Sequence, residues 1–370
     1  MQPAGFVRRF RFWSVLTVIS IYLLIMVGGI VRASGSGMGC PDWPKCFGQW
    51  VPPTTIQQLP PDYKQVYLSQ RVRKNQKLAR MLAGLGFREV AGEIFAHPTQ
   101  YVETEFNATK TWIEYVNRLV GVLIGIFVFV TAVVALPYWR RDRTVFWLAV
   151  GGWLLTGVQG WLGSLVVSTN LLPIMVTIHM GLALLIVAML LYAADRARYE
   201  PSQMRLAPDS QLRQSISVVH GSRGLQALLW LVLLVTFVQI VLGTQVREQV
   251  DQISAAADYM QRENWVGQLG NVFKVHRSLS IAIALLNSYV AYKLWPLAGR
   301  VQRLVVAILS LIGLEIVAGI VLAYLALPAI VQPVHLTLAT LLFGAQFLTL
   351  ITYRHATGST QEVPLRPAHA

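Results

Sequence analysis

Long apolar runs separated by polar breaks dominate this chain. Eight such runs are present, over 12–31, 112–136, 145–168, 174–194, 225–246, 275–295, 303–326 and 330–353. At about 1.5 Å per residue, each can cross a hydrocarbon core of about 30 Å as a helix. Backbone polar groups in lipid must be satisfied within their own segment, and no strand-length alternating pattern is present. The runs therefore predict helices and not a barrel.

The breaks organise the chain. Residues 33–111 form one long polar insertion, 196–224 form a polar, turn-rich linker, and 355–370 form a tail. The segments on either side of the linker, 1–195 and 225–354, resemble each other. Setting Arg32 against Arg247 places Gly28 on Gly243 and Val31 on Val246. A shift of 156 residues places Gly157 on Gly313, Gln159 on Glu315, Gly163 on Gly319 and His179 on His335. Each copy holds an even number of spans, so both copies start on the same side of the membrane and form parallel repeats. The predicted fold is all-α: eight transmembrane helices in two parallel, pseudo-symmetric four-helix bundles.

Composition agrees with a membrane protein. Hydrophobic residues make up 55% of the chain and charged residues only 13%, against about 25% charged in soluble domains. The net charge of +14 is concentrated in breaks that lie on one side: Arg8, Arg9 and Arg11, then Arg140, Arg141 and Arg143, then the linker and the turn from Lys293 to Arg303. The turns "STNLLP" and "LALPA" on the other side carry no Lys or Arg. The positive-inside rule then puts both termini in the cytoplasm. Basic loops facing an anionic leaflet account for much of the charge; the exterior 33–111 insertion is the exception, with Arg71, Arg73, Lys74, Lys77 and Arg80, and long loops cross regardless of charge. No basic stripe interleaved with aromatics marks a nucleic-acid groove.

The first run continues to Val31 with no small-residue cleavage site, so it is expected to remain as a span. No Arg- and Ser-rich transit peptide precedes it, which points to a bacterial plasma membrane. Within the 33–111 insertion, "YLSQRVRKNQKLARMLAGLGF" has the pattern of an amphipathic helix, lying on the membrane or in solvent.

Candidate chemistry sits at the exterior ends of the spans. His97, His220, His355 and His369 fall outside the apolar runs and read as solvated. His179, His276 and His335 lie in the first turns of runs four, six and eight, at the same depth as Asn117 in run two. Under the duplication His276 pairs with His335, and Asn117 pairs with His179. An ionisable residue inside a membrane helix marks a functional site by default. Two imidazoles facing each other across a four-helix bundle are the arrangement that clamps a haem iron, whereas zinc or copper draws three or four converging ligands. Arg118 follows Asn117 and Arg277 follows His276, placed either to neutralise haem propionates or to snorkel to headgroups. The mid-membrane pair Gln159 and Glu315 serves helix packing by hydrogen bonds, or, for Glu315, proton transfer.

"GMGCPDWPKCFGQWVPP" holds both cysteines, Cys40 and Cys46, just outside the first span. In an oxidising compartment this pair reads as a disulfide. It is either a structural pin or, as a small exposed ring, a redox group.

These motifs together resemble the haem A synthase family: "GGIVRASGSGMGCPDWPKCFGQWVP", "EYVNRLVG", "TIHMGLALL", "VHRSLS" and "PVHLTLATLL", spread over nearly the whole chain. The resemblance implies an enzyme that oxidises the C8 methyl of haem O to the formyl group of haem A for cytochrome oxidase assembly. It implies a haem b cofactor on His276 and His335, a substrate haem on His179, and Glu114 as the acidic residue near the reacting ring. It also implies haem O, the enzyme that makes it, an electron donor and membrane lipid as partners. The family pattern Glu-x-x-His-Arg reads Glu-Tyr-Val-Asn-Arg here, so Asn117 stands where a ligand is expected and His97 is a substitute candidate. Two other functions fit the pattern: a non-catalytic haem b protein, suggested by Asn117, and a transporter, suggested by parallel repeats.

Overall fold

The computed structural model describes residues 5–96, 105–198, 223–257, 260–297 and 299–358. His97, His220 and His369, and most of the 196–224 linker, lie outside these residues. Among the described residues the chain is helical, with one isolated antiparallel bridge between Cys46 and Gln49. The helices are α1 (Gly5–Ala33), α2 (Tyr63–Gly84), α3 (Arg88–Ala96), α4 (Ala108–Val134), α5 (Arg143–Ser168), α6 (Pro173–Arg196), α7 (Arg223–Ala256), α8 (Asn271–Leu294), α9 (Arg300–Tyr324) and α10 (Val331–Gly358).

Seven of these helices are long and apolar enough to cross a membrane. The eighth, α8, reaches that hydropathy only together with the short turns at Arg262–Gln268, from which it bends by 81°. The sequence explains the difference, because α8 carries Lys274, His276, Arg277, Asn287 and Lys293 along a single span. Helix α7 also differs from expectation, running ten residues past the end of its apolar run to Ala256. Its extension is held by pairs one turn apart, Arg247 to Asp251 at 2.6 Å and Gln252 to Glu248 at 3.0 Å. Such pairs stabilise a helix that has left the lipid.

Large apolar side chains such as Leu154, Leu285, Val317 and Ile320 face outward, as expected of a lipid-facing belt. Within the first half α1 packs on α4, α4 on α5, α5 on α6 and α6 back on α1. In the second half the same ring runs α7, α8, α9, α10 and back to α7. The halves meet where α10 lies on α1 and α6, and α7 on α6. Because α10 is central its span is 44% buried, while the span of peripheral α9 is 17% buried.

Lipid supplies no hydrophobic drive between helices, so the contacts rely on small residues and polar pairs. Thr17 meets Thr131 at 2.9 Å between α1 and α4, and Thr177 meets Thr244 at 3.0 Å between α6 and α7. Asn287 accepts from Gln346 at 3.0 Å between α8 and α10. At the junction of the halves, a Cβ on Gly29 would come within 2.8 Å of the Pro333 side chain, and one on Gly344 would collide with the Tyr22 hydroxyl. We expect Gly29→Val to lose about 1–3 kcal/mol by overpacking. Thermal unfolding in detergent should show a lower midpoint than Gly313→Ala, whose added Cβ meets nothing within 4 Å.

Each half also contains a turn with two successive left-handed residues, Asn170 and Leu171 in the first and Ala326 and Leu327 in the second. Left-handed backbone is rare for a branched side chain such as Leu. Its occurrence at the same 156-residue shift links the α5–α6 and α9–α10 connections as one geometry. At the opposite end, the buried carboxylate of Asp195 on α6 pairs with Arg300 on α9 and lies 3.7 Å from His355 on α10. Asp142 caps α5 and accepts from Arg196 at 2.6 Å.

Candidate functional site

Helices α6, α8 and α10 bring three imidazoles to a shared level. Pro173 opens α6, where its missing N–H has no cost. His179, His276 and His335 then fall four to six residues along their helices, roughly 6–9 Å from each start. In the second half the His276 and His335 rings face each other with centroids 6.4 Å apart. A metal–imidazole bond of about 2 Å, plus about 1 Å from nitrogen to ring centre on each side, puts two axial rings roughly 6 Å apart. The pair therefore fits a two-sided clamp on one iron. The Nδ1 atoms of His179 and His276 are buried and lack a hydrogen-bond partner, and that of His335 is buried beside the Glu315 carboxylate.

Glycines make room for these rings. A Cβ on Gly243 of α7 would stand 3.4 Å from Cε1 of His276. Cβ atoms on Gly163 and Gly319, equivalent under the 156-residue shift, would stand 3.7 and 3.8 Å from Cε1 of His179 and His335. Amides hold the backbone from the neighbouring helix. Gln239 donates to the His276 carbonyl at 3.0 Å, and Gln159 donates to the His179 carbonyl at 2.9 Å. Glu315 has a different job from Gln159, its counterpart. Its Oε2 lies 2.9 Å from Nδ1 of His335, out of line for a hydrogen bond. At that distance the carboxylate is an ion-pair partner for a protonated ring.

In the first half the repeat sets Asn117 on α4 in the place that His276 holds in the second. Asn117 is half-buried and its Oδ1 is buried without a partner. Arg277, beside His276, is exposed and stacks over Phe273 at 5.8 Å. Arg118, its counterpart, is engaged elsewhere: its guanidinium donates to the carbonyls of Asp42 at 2.7 Å, Lys45 at 3.0 Å and Cys40 at 3.2 Å, and to Glu114.

Glu114 belongs to the same network. It is 3% exposed, and while one carboxylate oxygen pairs with Arg118, the other accepts from the Cys40 N–H at 2.7 Å. Thr111 donates to the Gly39 carbonyl at 2.9 Å, and any Cβ on Gly39 would collide with the Lys110 carbonyl. The first turns of α4 thus clamp the cysteine loop against the top of the first half. Cys40 and Cys46 form a disulfide, and both residues are fully buried. Of the two readings of the pair, the burial favours the structural pin, since the loop folds its sulfurs against α4.

The 33–111 insertion completes the roof. Phe47 of the cysteine loop packs edge-on against Tyr63, Tyr67 and Phe106. Burial, and then the charge of Asp42, push the Tyr67 phenol up to about 12, so it stays neutral. The amphipathic stretch is α2, and it docks on protein through Tyr63, Tyr67, Asn75 and Leu78. Asn75 donates to the Ser168 carbonyl at 2.9 Å, and Leu78 and Ile94 cluster with Leu172 and Met175. The insertion therefore covers the α5–α6 turn, directly above His179.

Sequence reading missed Gln239, the glycines facing the rings, and a bridge between the halves. Arg32 and Arg247, aligned in the repeat, converge on Asp251 at 2.9 and 2.6 Å. The repeat pointed to both arginines, but nothing in the sequence linked them to Asp251.

The disulfide geometry carries a prediction. With both cysteines buried, glutathione should leave the native protein oxidised, and the bond should open only after unfolding. Maleimide mass labelling checks this. Cys40→Ser should cost about 2 kcal/mol through lost loop closure.

Comparison with known proteins adds the final observations. The family model COX15-CtaA, described as a cytochrome oxidase assembly protein, matches residues 11–82 and 90–347. A haem A synthase of Shewanella oneidensis is 24% identical, covering 94% of this chain and 98% of its own. A haem A synthase of a Methylobacterium species is 26% identical, covering 93% and 91%. One of Rhizobium leguminosarum is 23% identical, covering 91% and 88%.

Proposed function

We infer, from the premise that this chain belongs to the COX15-CtaA family of cytochrome oxidase assembly proteins, that it is a haem A synthase, a membrane oxidoreductase. The reaction takes haem O to haem A by turning the C8 methyl into a formyl group. That change removes four electrons from the substrate and adds one oxygen atom, so it requires redox chemistry that side chains lack and a haem iron supplies.

The observation that carries the site assignment is the 6.4 Å spacing of the His276 and His335 rings. These two residues hold the haem b cofactor. Glu315 orients His335 from behind, and Gln239 fixes the helix position of His276. His179 binds the substrate haem in the first half, under the roof made by the cysteine loop and α2. Arg277 is the exposed cation free to meet a propionate at the second site. Glu114 and Arg118 act on the first site by holding the roof. Placing the 1–195 and 225–354 halves as two copies of one unit gives each a separate task. The basic loops support a topology with both termini in the cytoplasm of a bacterium and both haem sites near the exterior face of its inner membrane. Haem O arrives from the enzyme that makes it, and a separate donor or acceptor handles the electrons.

The test is co-expression with a haem O source, followed by haem extraction and chromatography. Haem A should appear, and its absence would overturn the enzyme reading. Asn117 favours a second reading, a haem b protein without catalysis, which predicts bound haem b and unconverted haem O in the same experiment.

A further inference from the structure

We propose that the first half binds its tetrapyrrole through His179 alone and leaves the opposite axial face, beside Asn117 and Gly28, open to a small diatomic ligand such as dioxygen or carbon monoxide. The proposal rests on the haem reading above. It is argued from a comparison of the two halves within this one chain.

The second half is closed on both faces. His276 comes from the second span of that half and His335 from the fourth, and the two rings lie 6.4 Å apart. The first half supplies His179 from its fourth span, with the same glycine contact as His335. Its second span supplies Asn117, followed by Arg118 as His276 is followed by Arg277. Asn is not among the side chains that hold haem iron, which are His, Cys, Met and Tyr.

The packing around the two positions differs in the same sense. Gly243 stands against the His276 ring, with Cε1 3.4 Å from an added Cβ. Gly28, aligned with Gly243 in the repeat, would meet nothing within 4 Å. The repeat would set Asn117 toward Gly28 as it sets His276 toward Gly243, so the exchange of an imidazole for a shorter amide removes a ligand and brings no side chain against Gly28. The Oδ1 of Asn117 is buried and unpartnered. A primary amide carries both a donor and an acceptor, so Asn117 can hydrogen-bond a ligand bound at the open face without competing for the iron.

Carbon monoxide is the probe, because it binds reduced haem only where an axial position is free or weakly held. The full-length protein, purified after co-expression with a haem O source, is reduced and exposed to the gas. One haem population should shift its absorption and the other should not. His179→Ala should remove the responsive population and spare the silent one. Asn117→His should turn the responsive population into a silent, low-spin one with total haem unchanged.

A wild-type protein whose haems are all silent would overturn the proposal while leaving the haem assignment intact. So would a response that survives Asn117→His at full strength, or one lost in His335→Ala and retained in His179→Ala. Purified protein with no haem would overturn the functional reading and this inference together. The wild-type spectrum decides the matter even if a variant fails to fold.

Discussion

His335→Ala should abolish the low-spin haem signal of the purified protein and, with it, haem A formation. The expectation follows from the geometry of the second half, where two rings lie 6.4 Å apart, the spacing expected of two axial imidazoles on one iron. Removing either leaves a single imidazole, which cannot keep the iron low-spin, so His276→Ala should behave alike. Haem content per protein, read by extraction and by the visible spectrum, checks both. Glu315→Gln is a graded control. It keeps the ligand and removes the carboxylate beside Nδ1, and partners of this type typically change metal affinity about 10–100-fold. A haem signal equal to wild type in His335→Ala would rule out the assignment.

Glu114→Ala should be the most destabilising change in the first half. The carboxylate is buried between Arg118 and the Cys40 N–H. Its loss leaves the guanidinium with carbonyl partners and no counter-charge, and breaking such a buried pair costs about 3–5 kcal/mol. Arg118→Ala should cost a similar amount, and the double variant less than the sum, because the two share one interaction. Thermal unfolding and thiol labelling of Cys40 and Cys46 would show the loop released. Glu114→Gln separates structure from chemistry, since an amide oxygen still accepts from Cys40. If Glu114 only holds the roof, this variant forms haem A at a lower unfolding midpoint. If Glu114 also serves the reacting ring, haem A falls further than stability does.

The helical architecture was legible in the sequence because it rests on composition and run length, which the chain displays openly. The three imidazoles at one level were legible too, through their positions at span starts. Two kinds of feature were hidden. Residues distant in sequence meet only through the fold, as Glu114 does with Cys40 and Asp251 with Arg32. Helix ends also depend on local pairs that hydropathy does not register, which is why α7 runs on to Ala256 and α8 is more polar than a span usually is. The contacts of Arg118 were hidden for the first reason. Its place beside Asn117 suggested a propionate partner or a headgroup contact, and nothing in the sequence linked it to the three carbonyls of the cysteine loop and the Glu114 carboxylate that accept from it.

The contact between Gly29 and Pro333 joins the first span to be synthesised to the last. During translation α1 can settle against α4 and α6 as they emerge, but the face bearing Gly29 and Tyr22 has no partner until α10 enters the bilayer. The growing chain therefore presents a small-residue groove to lipid for most of its synthesis, and domain-wise folding of the first half stops short of its final packing. Any truncation before Val331 would leave that groove permanently open. The packing of α1 thus waits on α10, about 300 residues later in the chain.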